Sequence, residues 1–543
     1  MKIPVPDISP EAAARYRREG LWGPPRLAVT LEAHAAEAPH RAAVVDTYGA
    51  HLTYEAFARA VRAAAAWFRG HGVGHHDTVV VALPNCADYA VAHLALSRLG
   101  AASVLLSSRE SVADIASAAH ETGARLVLVA ESPRRAAPVA ELAAAGVPET
   151  NTVIVSPGRK PEDSESGGTP LHWPGHDALT RADVADDEPG PVDVDGSDIE
   201  LIVFSSGTTG SPKGIAHTYD GAGASLRGWR AALGLTWRDV VFCPATLGHV
   251  GGSQWGLRTA VLLGAPLILM DRWDPAAAAR LIGEHRCTYS LVTPTYLIDL
   301  MRLPAELRAL TSSFRIWAVG GSRMPDRFVR DAEAMLGGQV LRGFGMSECF
   351  MVTINRPDDP PERRMTRDGR ALPGCEMAVW DAEGNPVGPG EPGELVVRGP
   401  SLTGGYFTDP EETRRVYTRG WQRTGDIATI DEEGFLSVVD RRKEVIIRGG
   451  ENISPQEVEQ YLATDPGLPA LVVTSVPDDR LGERAAVVYE GAPGALTLDR
   501  IRKVLERAGL ARYKWPEAVI AVDALPRTPL GKIQRGKVRR MIS

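Results

Sequence analysis

The stretch Ser205-Ser206-Gly207-Thr208-Thr209-Gly210-Ser211-Pro212-Lys213-Gly214 sets a run of glycine, serine and threonine ahead of a proline and a lysine. It follows the apolar run at 199–204. Glycines let backbone N–H groups turn toward an anion, hydroxyls donate to its oxygens and a lysine supplies a point charge, so the chemistry is that of a phosphate loop. Neither of two familiar phosphate loops fits. Lys213 stands three residues after Gly210 rather than directly after a glycine, and the stretch carries no G-x-G-x-x-G. Further along, Phe344-Gly345-Met346-Ser347-Glu348 offers a flat aromatic, a hydroxyl and a carboxylate, the parts that cover a base, touch a phosphate and hold Mg²⁺. Residues 319–325 offer exposed backbone, and residues 421–426 end in Asp426, suited to accept from ribose hydroxyls. Lys532 sits on a turn between Gly531 and Ile533 in an otherwise basic tail. Each string alone is weak; their joint presence in this order is specific.

Apolar strand-like runs alternating with alanine-rich helical stretches must position these groups. Residues 78–83 precede a helical stretch at 88–100 that ends on Gly100, suited to a helix C-terminus. Residues 124–130 and 314–321 read as further strands, the latter running into glycines, and residues 260–270 read as a buried helix-to-strand unit. This rhythm predicts a large α/β domain with parallel-rich sheets. After about residue 370 short strands with Gly-Pro turns predict a small β-rich subdomain. At 440–450 a charged run precedes a short strand and a double glycine. A helix follows with Ser454 as N-cap and Pro455 in its first turn. The expected division is residues 1–440 as the N-terminal domain and 441–543 as a small α+β C-terminal domain.

The 543 residues, 44% hydrophobic and 24% charged, belong to an ordinary folded protein with ample core. A net charge of −8 argues against a nucleic-acid surface. Five cysteines, far apart and without a CxxC pair, argue against a disulfide framework or a zinc site and fit a reducing cytoplasm. No apolar run approaches the length of a membrane span.

Taken together, residues 205–214, 344–348, 393–407, 421–426, 440–459 and 525–535 resemble the motifs of the adenylate-forming superfamily of acyl- and aryl-CoA ligases, luciferases and peptide-synthetase adenylation domains. Residues 267–282, 291–301 and 447–453 are most similar to bacterial medium-chain and cyclohexanecarboxylate-type acid–CoA ligases, and the N-terminal third also resembles free-standing aryl-acid adenylating enzymes. The resemblance implies a two-step reaction. A carboxylate attacks the α-phosphorus of ATP, giving an acyl-adenylate and pyrophosphate; a thiol, usually that of CoA, then displaces AMP. A small C-terminal domain rotates between the steps.

By that resemblance Ser205, Ser206, Gly207, Thr208, Thr209, Gly210 and Lys213 hold the β- and γ-phosphates. Phe344 stacks on adenine, framed by Gly343, Gly345 and Met346, with Gly320, Gly321 and Ser322 along its edge. Ser347, where the family usually has threonine, keeps a hydroxyl for the α-phosphate, and Glu348 binds Mg²⁺. Asp426 and Arg441 hold the ribose, Lys443 occupies the hinge, Gly449 and Gly450 flank the pantetheine tunnel, and Lys532 bridges carboxylate and α-phosphate. The hinge motif departs from the usual Gly-Arg in reading Asp440-Arg441.

His249 matches the histidine or aromatic near the acyl pocket. Val250 follows it where the aryl-acid enzymes of siderophore pathways place asparagine, which favours an apolar acid. Gly248, Gly251, Gly252 and Gly256 are expected to leave room in that pocket. The leading reading is an acid–CoA ligase. The alternative is an adenylating enzyme that passes its adenylate to a carrier-protein thiol or a partner enzyme. A nucleotide-binding relic would have lost Lys532 or Glu348, and both are present.

Overall fold

The computed structural model describes residues 8–24, 26–130, 137–158, 171–182, 189–205, 213–321, 326–402, 404–441, 446–448, 451–478, 482–508, 510, 512–527, 531 and 533–542. Two large sheets build the first part of the chain. One has seven strands in the order Gln339–Arg342, Ile316–Val319, Tyr289–Val292, Val241–Cys243, Leu267–Leu269, Ala42–Asp46 and His51–Thr53, parallel except at the last pair. The other has eight, in the order Gly405–Tyr406, Lys213–Thr218, Ile199–Ser205, Ala102–Leu105, Thr78–Ala82, Leu126–Ala130, Thr152–Val155 and Leu171–His172. Its first two pairs are antiparallel and the others parallel.

The strand Thr78–Ala82 is buried along its whole length, the pattern of a strand covered on both faces. The helix Ala87–Leu99 is likewise buried throughout, and one apolar cluster joins it to strands of both sheets. It ends as its sequence predicts, with Gly100 at φ +70°. Such a helix can carry polar groups only if each finds a partner. Asp88 accepts from Trp173 Nε1 at 2.9 Å, Arg98 pairs with Glu32 at 2.9 Å, and Ser97 donates to Glu200 at 3.0 Å. Residues 260–270 form the expected unit: a helix Thr259–Leu263, a left-handed Gly264 and the strand Leu267–Leu269.

The β-rich segment after residue 370 is an antiparallel sheet of Glu376–Trp380, Gly393–Arg398, Trp421–Ile430 and Tyr417–Thr418, with Leu436–Arg441 on Trp421–Ile430. A separate C-terminal sheet runs Glu451–Ile453, Ile446–Arg448, Gly482–Glu490 and Leu471–Asp478, with Ala518–Val522 parallel to Gly482–Glu490. Helices Pro455–Leu462 and Leu498–Ala508 pack on it around Val458, Leu462, Ile501 and Leu505. Ser454 caps the first of these as expected, its Oγ accepting from Glu457 N at 3.1 Å. The α/β domain followed by an α+β domain is the expected fold. No helix among the described residues is long and apolar enough to cross a membrane.

Candidate active site

In open parallel sheets ligands gather beyond the carboxyl ends of the strands, and Ser205, Gly320, Gly321 and the turn from Gly343 to Glu348 lie at such ends. Ser205 ends the strand Ile199–Ser205, and Lys213 opens the antiparallel strand Lys213–Thr218 that returns beside it. Ser206, Gly207, Thr208, Thr209 and Gly210 lie outside the described residues. Lys213 Nζ is 3.2 Å from Asp409 Oδ2 and 3.6 Å from Glu412 Oε1, and 5.4 Å from the centre of the Tyr406 ring. Asp409 caps the helix Pro410–Val416, accepting from Glu412 N at 2.8 Å. That backbone donor first, and Lys213 second, hold its carboxyl below the usual range. Tyr406 pairs with Ile215 and donates its hydroxyl to Glu348 Oε1 at 3.0 Å. Burial, then the Glu348 charge, push the phenol upward, so it stays a donor.

The turn carrying Phe344 to Glu348 follows the strand Gln339–Arg342, and Gly320-Gly321 follow its parallel neighbour Ile316–Val319. Gly343 N donates to Val319 O at 3.0 Å, holding the two exits side by side. A Cβ on Gly343 would lie 2.5 Å from Thr353 O, and one on Gly345 2.3 Å from Phe350 O, so both glycines permit close backbone contact around Phe344. Phe344 and Met346 pack on the apolar cluster of the antiparallel sheet that also bears Asp426. His217 holds the turn from the other side. Its Nε2–H donates to Ser347 O at 2.8 Å and its ring stacks on Phe350 at 3.9 Å. Burial drives this imidazole down to about 3, so it is neutral. Ser322 lies outside the described residues.

Asp426 is buried and its register partner across the antiparallel pair is Arg441. Lys443, Gly449, Gly450 and Lys532 lie outside the described residues. Lys532 is bracketed by Gly531, at φ +81°, and by a bridge between Ile533 and Arg527.

His249 precedes the short helix Val250–Gly252, which continues into a π-helix, Ser253–Arg258, and then Thr259–Leu263. The π-turn is a departure that the sequence did not announce; such turns cluster at functional sites. It is anchored by Arg258, whose guanidinium donates to Gln254 Oε1 at 2.8 Å and to Glu200 Oε2 at 2.5 Å. Glu200 lies on the strand Ile199–Ser205, so this ion pair ties the His249 segment to that strand. Among the described residues His249 Nε2 has no hydrogen-bond partner, and burial pushes the ring down to about 4.

The glycine expectation is corrected here. A Cβ on Gly248 would lie 2.2 Å from Leu106 C, on Gly252 2.3 Å from Thr246 O, and on Gly256 2.5 Å from Cys243 Sγ. These three allow close packing rather than open space. Only Gly251 of the four is uncrowded, 3.8 Å from Ala245 Cβ and Leu291 Cδ2.

Tyr406, Asp409, Glu412 and His217 were not assigned roles from sequence. The segment at 404–409, with its glycines, tyrosine and aspartate, held a detectable signal for the first two; His217 looks like any strand residue.

Lys213, Tyr406 and Glu348 thus stand together beyond the end of the strand Ile199–Ser205, and comparison with known proteins supplies the class: an adenylate-forming ligase. The chain belongs to the AMP-binding enzyme family, which it matches over residues 31–407, and residues 457–532 match the AMP-binding enzyme C-terminal domain. It is 32% identical to a medium-chain fatty-acid–CoA ligase of Escherichia coli over 100% of this chain and 94% of that protein. It is 34% identical to a salicyl-AMP ligase/salicyl-S-ArCP synthetase of Mycobacterium tuberculosis over 98% of this chain and 93% of that protein. The crystal structure of ATP-bound MatB from Rhodopseudomonas palustris superposes with a TM-score of 0.82 at 25% identity, covering 95% of this chain and 98% of that one.

Proposed function

We propose that this enzyme activates an apolar carboxylic acid as its acyl-adenylate and transfers the acyl group to the thiol of CoA. The observation that carries the reading is the contact chain from Lys213 through Tyr406 to Glu348. It aligns the cation beside the phosphate loop with a hard oxygen donor suited to Mg²⁺. In this reading the loop at 205–210 and Lys213 bind the β- and γ-phosphates. Phe344 covers adenine along Gly320, Gly321 and Ser322, and Asp426 and Arg441 take the ribose. Bound Mg²⁺ neutralises phosphate charge as it builds; Glu348 holds it, and Ser347 donates to the α-phosphate.

The domain boundary is proposed at 440/441. Support comes from pairing: Leu436–Arg441 belongs to the antiparallel sheet of the large domain and Ile446–Arg448 to the C-terminal sheet. Rotation about Lys443 would bring Lys532 to the carboxylate for the first step and Gly449 and Gly450 to the thiol route for the second.

An apolar acid is favoured by Val250 and Leu291, both packed on the main apolar cluster, beside the uncrowded Gly251. The test is acid-dependent ATP–pyrophosphate exchange across a panel of medium-chain, alicyclic, aromatic and amino acids, repeated with CoA. Exchange with an apolar acid and CoA-dependent AMP release are expected. Preference for 2,3-dihydroxybenzoate or a free amino acid would overturn the acid assignment. Exchange without CoA thioester, rescued by a phosphopantetheinylated carrier, would overturn the CoA assignment in favour of the carrier-loading activity borne by the name of the 34% identical relative.

A further inference from the structure

The loop Gly74-His75-His76-Asp77 carries two adjacent histidines that the adenylation reading does not use. Among the described residues, His75, His76 and Asp198 form a group whose ligand atoms all lie within 4.8 Å of one another. His75 Nε2 is 3.1 Å from Asp198 Oδ2, and His76 Nδ1 is 3.7 Å from Asp198 Oδ1. The two imidazoles stack with centroids 3.7 Å apart and planes 20° from parallel, so both present a nitrogen to the same carboxylate. The Asp198 side chain is only 3% exposed, whereas those of His75 and His76 are 35% and 43% exposed.

Each ligand is held by its surroundings. Asp195 N donates to Asp198 Oδ2 at 2.9 Å, and Tyr219 N donates to Asp198 O at 3.0 Å. His75 packs on Gly100, where a Cβ would come within 2.6 Å of its Cδ2. His76 N donates to Gly100 O at 3.0 Å, and His76 itself has a left-handed φ of +69°. The neighbouring Asp77 is committed elsewhere, to Gly74 N at 2.8 Å and Arg125 Nε at 3.2 Å.

We propose that His75, His76 and Asp198 form a site for a divalent transition-metal ion, Zn²⁺ being the fitting choice. Zinc takes imidazole nitrogen and carboxylate oxygen at about 2.0–2.2 Å in tetrahedral array, so its ligand atoms sit roughly 3.3 Å apart. The separations of 3.1 Å to Asp198 Oδ2 and 3.7 Å to Asp198 Oδ1 bracket that spacing, and binding would require the two stacked rings to turn so that both nitrogens converge on the ion. Two nitrogens and one carboxylate disfavour Mg²⁺ and Ca²⁺, which take oxygen ligands. The exposed histidine edges leave the fourth position to water. Asp198 directly precedes the strand Ile199–Ser205, at whose other end the phosphate loop begins. The strand separates the two by roughly 20 Å, so the site is distinct from that of ATP and its Mg²⁺. The ion would pin the 74–77 loop to the start of this strand.

The test uses the full chain stripped with chelator, then titrated with Zn²⁺ against a chromogenic chelator in the presence of saturating Mg²⁺. The wild type is expected to bind one Zn²⁺ more per chain than His75→Gln/His76→Gln, with micromolar or tighter affinity and a rise in melting temperature that the double variant lacks. His76→Asn, which suits the left-handed backbone, is expected to weaken binding at least tenfold. Both variants lie outside the ATP site and are expected to keep wild-type pyrophosphate exchange in Mg²⁺, which also reports their folding. Equal stoichiometry and affinity in wild type and variants, or wild-type binding only at millimolar Zn²⁺, would overturn the proposal.

Discussion

The Tyr406 hydroxyl donates to Glu348 Oε1 at 3.0 Å, while Lys213 Nζ stands 5.4 Å from the centre of the same ring. One aromatic side chain therefore contacts both the proposed Mg²⁺ ligand and the lysine of the proposed phosphate loop. Its strand is short, but pairing with Ile215 and the Asp409-capped helix behind it keep it in place.

Tyr406→Phe removes one hydrogen bond to a carboxylate and keeps the ring. A hydrogen bond to a charged group contributes about 1.5–3 kcal/mol. The expected result is a loss of about tenfold or more in pyrophosphate exchange and a raised Mg²⁺ requirement, with a fall in melting temperature of no more than a few degrees. Glu348→Gln, nearly isosteric, is expected to lose more exchange at every Mg²⁺ concentration while remaining folded. If Tyr406→Phe leaves the Mg²⁺ dependence unmoved, the tyrosine does not orient the ligand.

Lys532→Ala separates the two half-reactions. In the proposed mechanism its charge counts where carboxylate and α-phosphate, both anionic, are forced together, and loss of such a contact would cost about 3–4 kcal/mol in the barrier. Pyrophosphate exchange is expected to fall by two orders of magnitude or more. Thioester formation from supplied acyl-adenylate and CoA is expected to stay near wild type. Equal loss in both assays rejects the domain-rotation assignment; equal retention makes Lys532 one more cation of the basic tail.

The glycines beside His249 should divide into two kinds. Gly248→Ala forces a Cβ to 2.2 Å from the backbone carbon of Leu106, which cannot yield as a side-chain tip can. A cost of about 3 kcal/mol or more is expected, read as a lowered melting temperature or insoluble protein. Gly251→Ala meets nothing closer than 3.8 Å. It should leave the melting temperature alone and shift the acid preference in the exchange panel toward smaller substrates. Similar melting temperatures for the two variants would contradict the packing assignment.

His217 makes stability pH-dependent with a definite sign. Burial lowers its folded value to about 3, whereas an unfolded histidine titrates near 6.5. The unfolded chain therefore binds the extra proton first as pH falls. The stability is fully present above about pH 6.5 and is lost on acidification toward the folded value, by up to about 1.4 kcal/mol per pH unit. His217→Gln is expected to flatten the fall in melting temperature between pH 6.5 and 4.5. An identical slope in the variant would show that His217 is not the group responsible.

The division between what the sequence determined and what only tertiary structure decided follows the range of the forces involved. Helix ends, buried strands and the phosphate-loop composition depend on neighbours a few residues apart. Thus Gly100, Gly264 and Ser454 terminate or begin helices as their chemistry dictates, and Lys213, Glu348 and Asp426 could be singled out by their local strings. The partners of those residues could not. Lys213 meets Asp409 across 196 positions of chain and Tyr406 meets Glu348 across 58. Those meetings depend on the short strand Gly405–Tyr406 joining the edge of the eight-stranded sheet in one register. Asp426 is in register with Arg441 for the same reason, by the pairing of two strands. Gly248 and Gly251 are identical in sequence terms, and only the packed backbone of Leu106 distinguishes them. Side-chain type is a local property, while register and packing are set by the whole core at once.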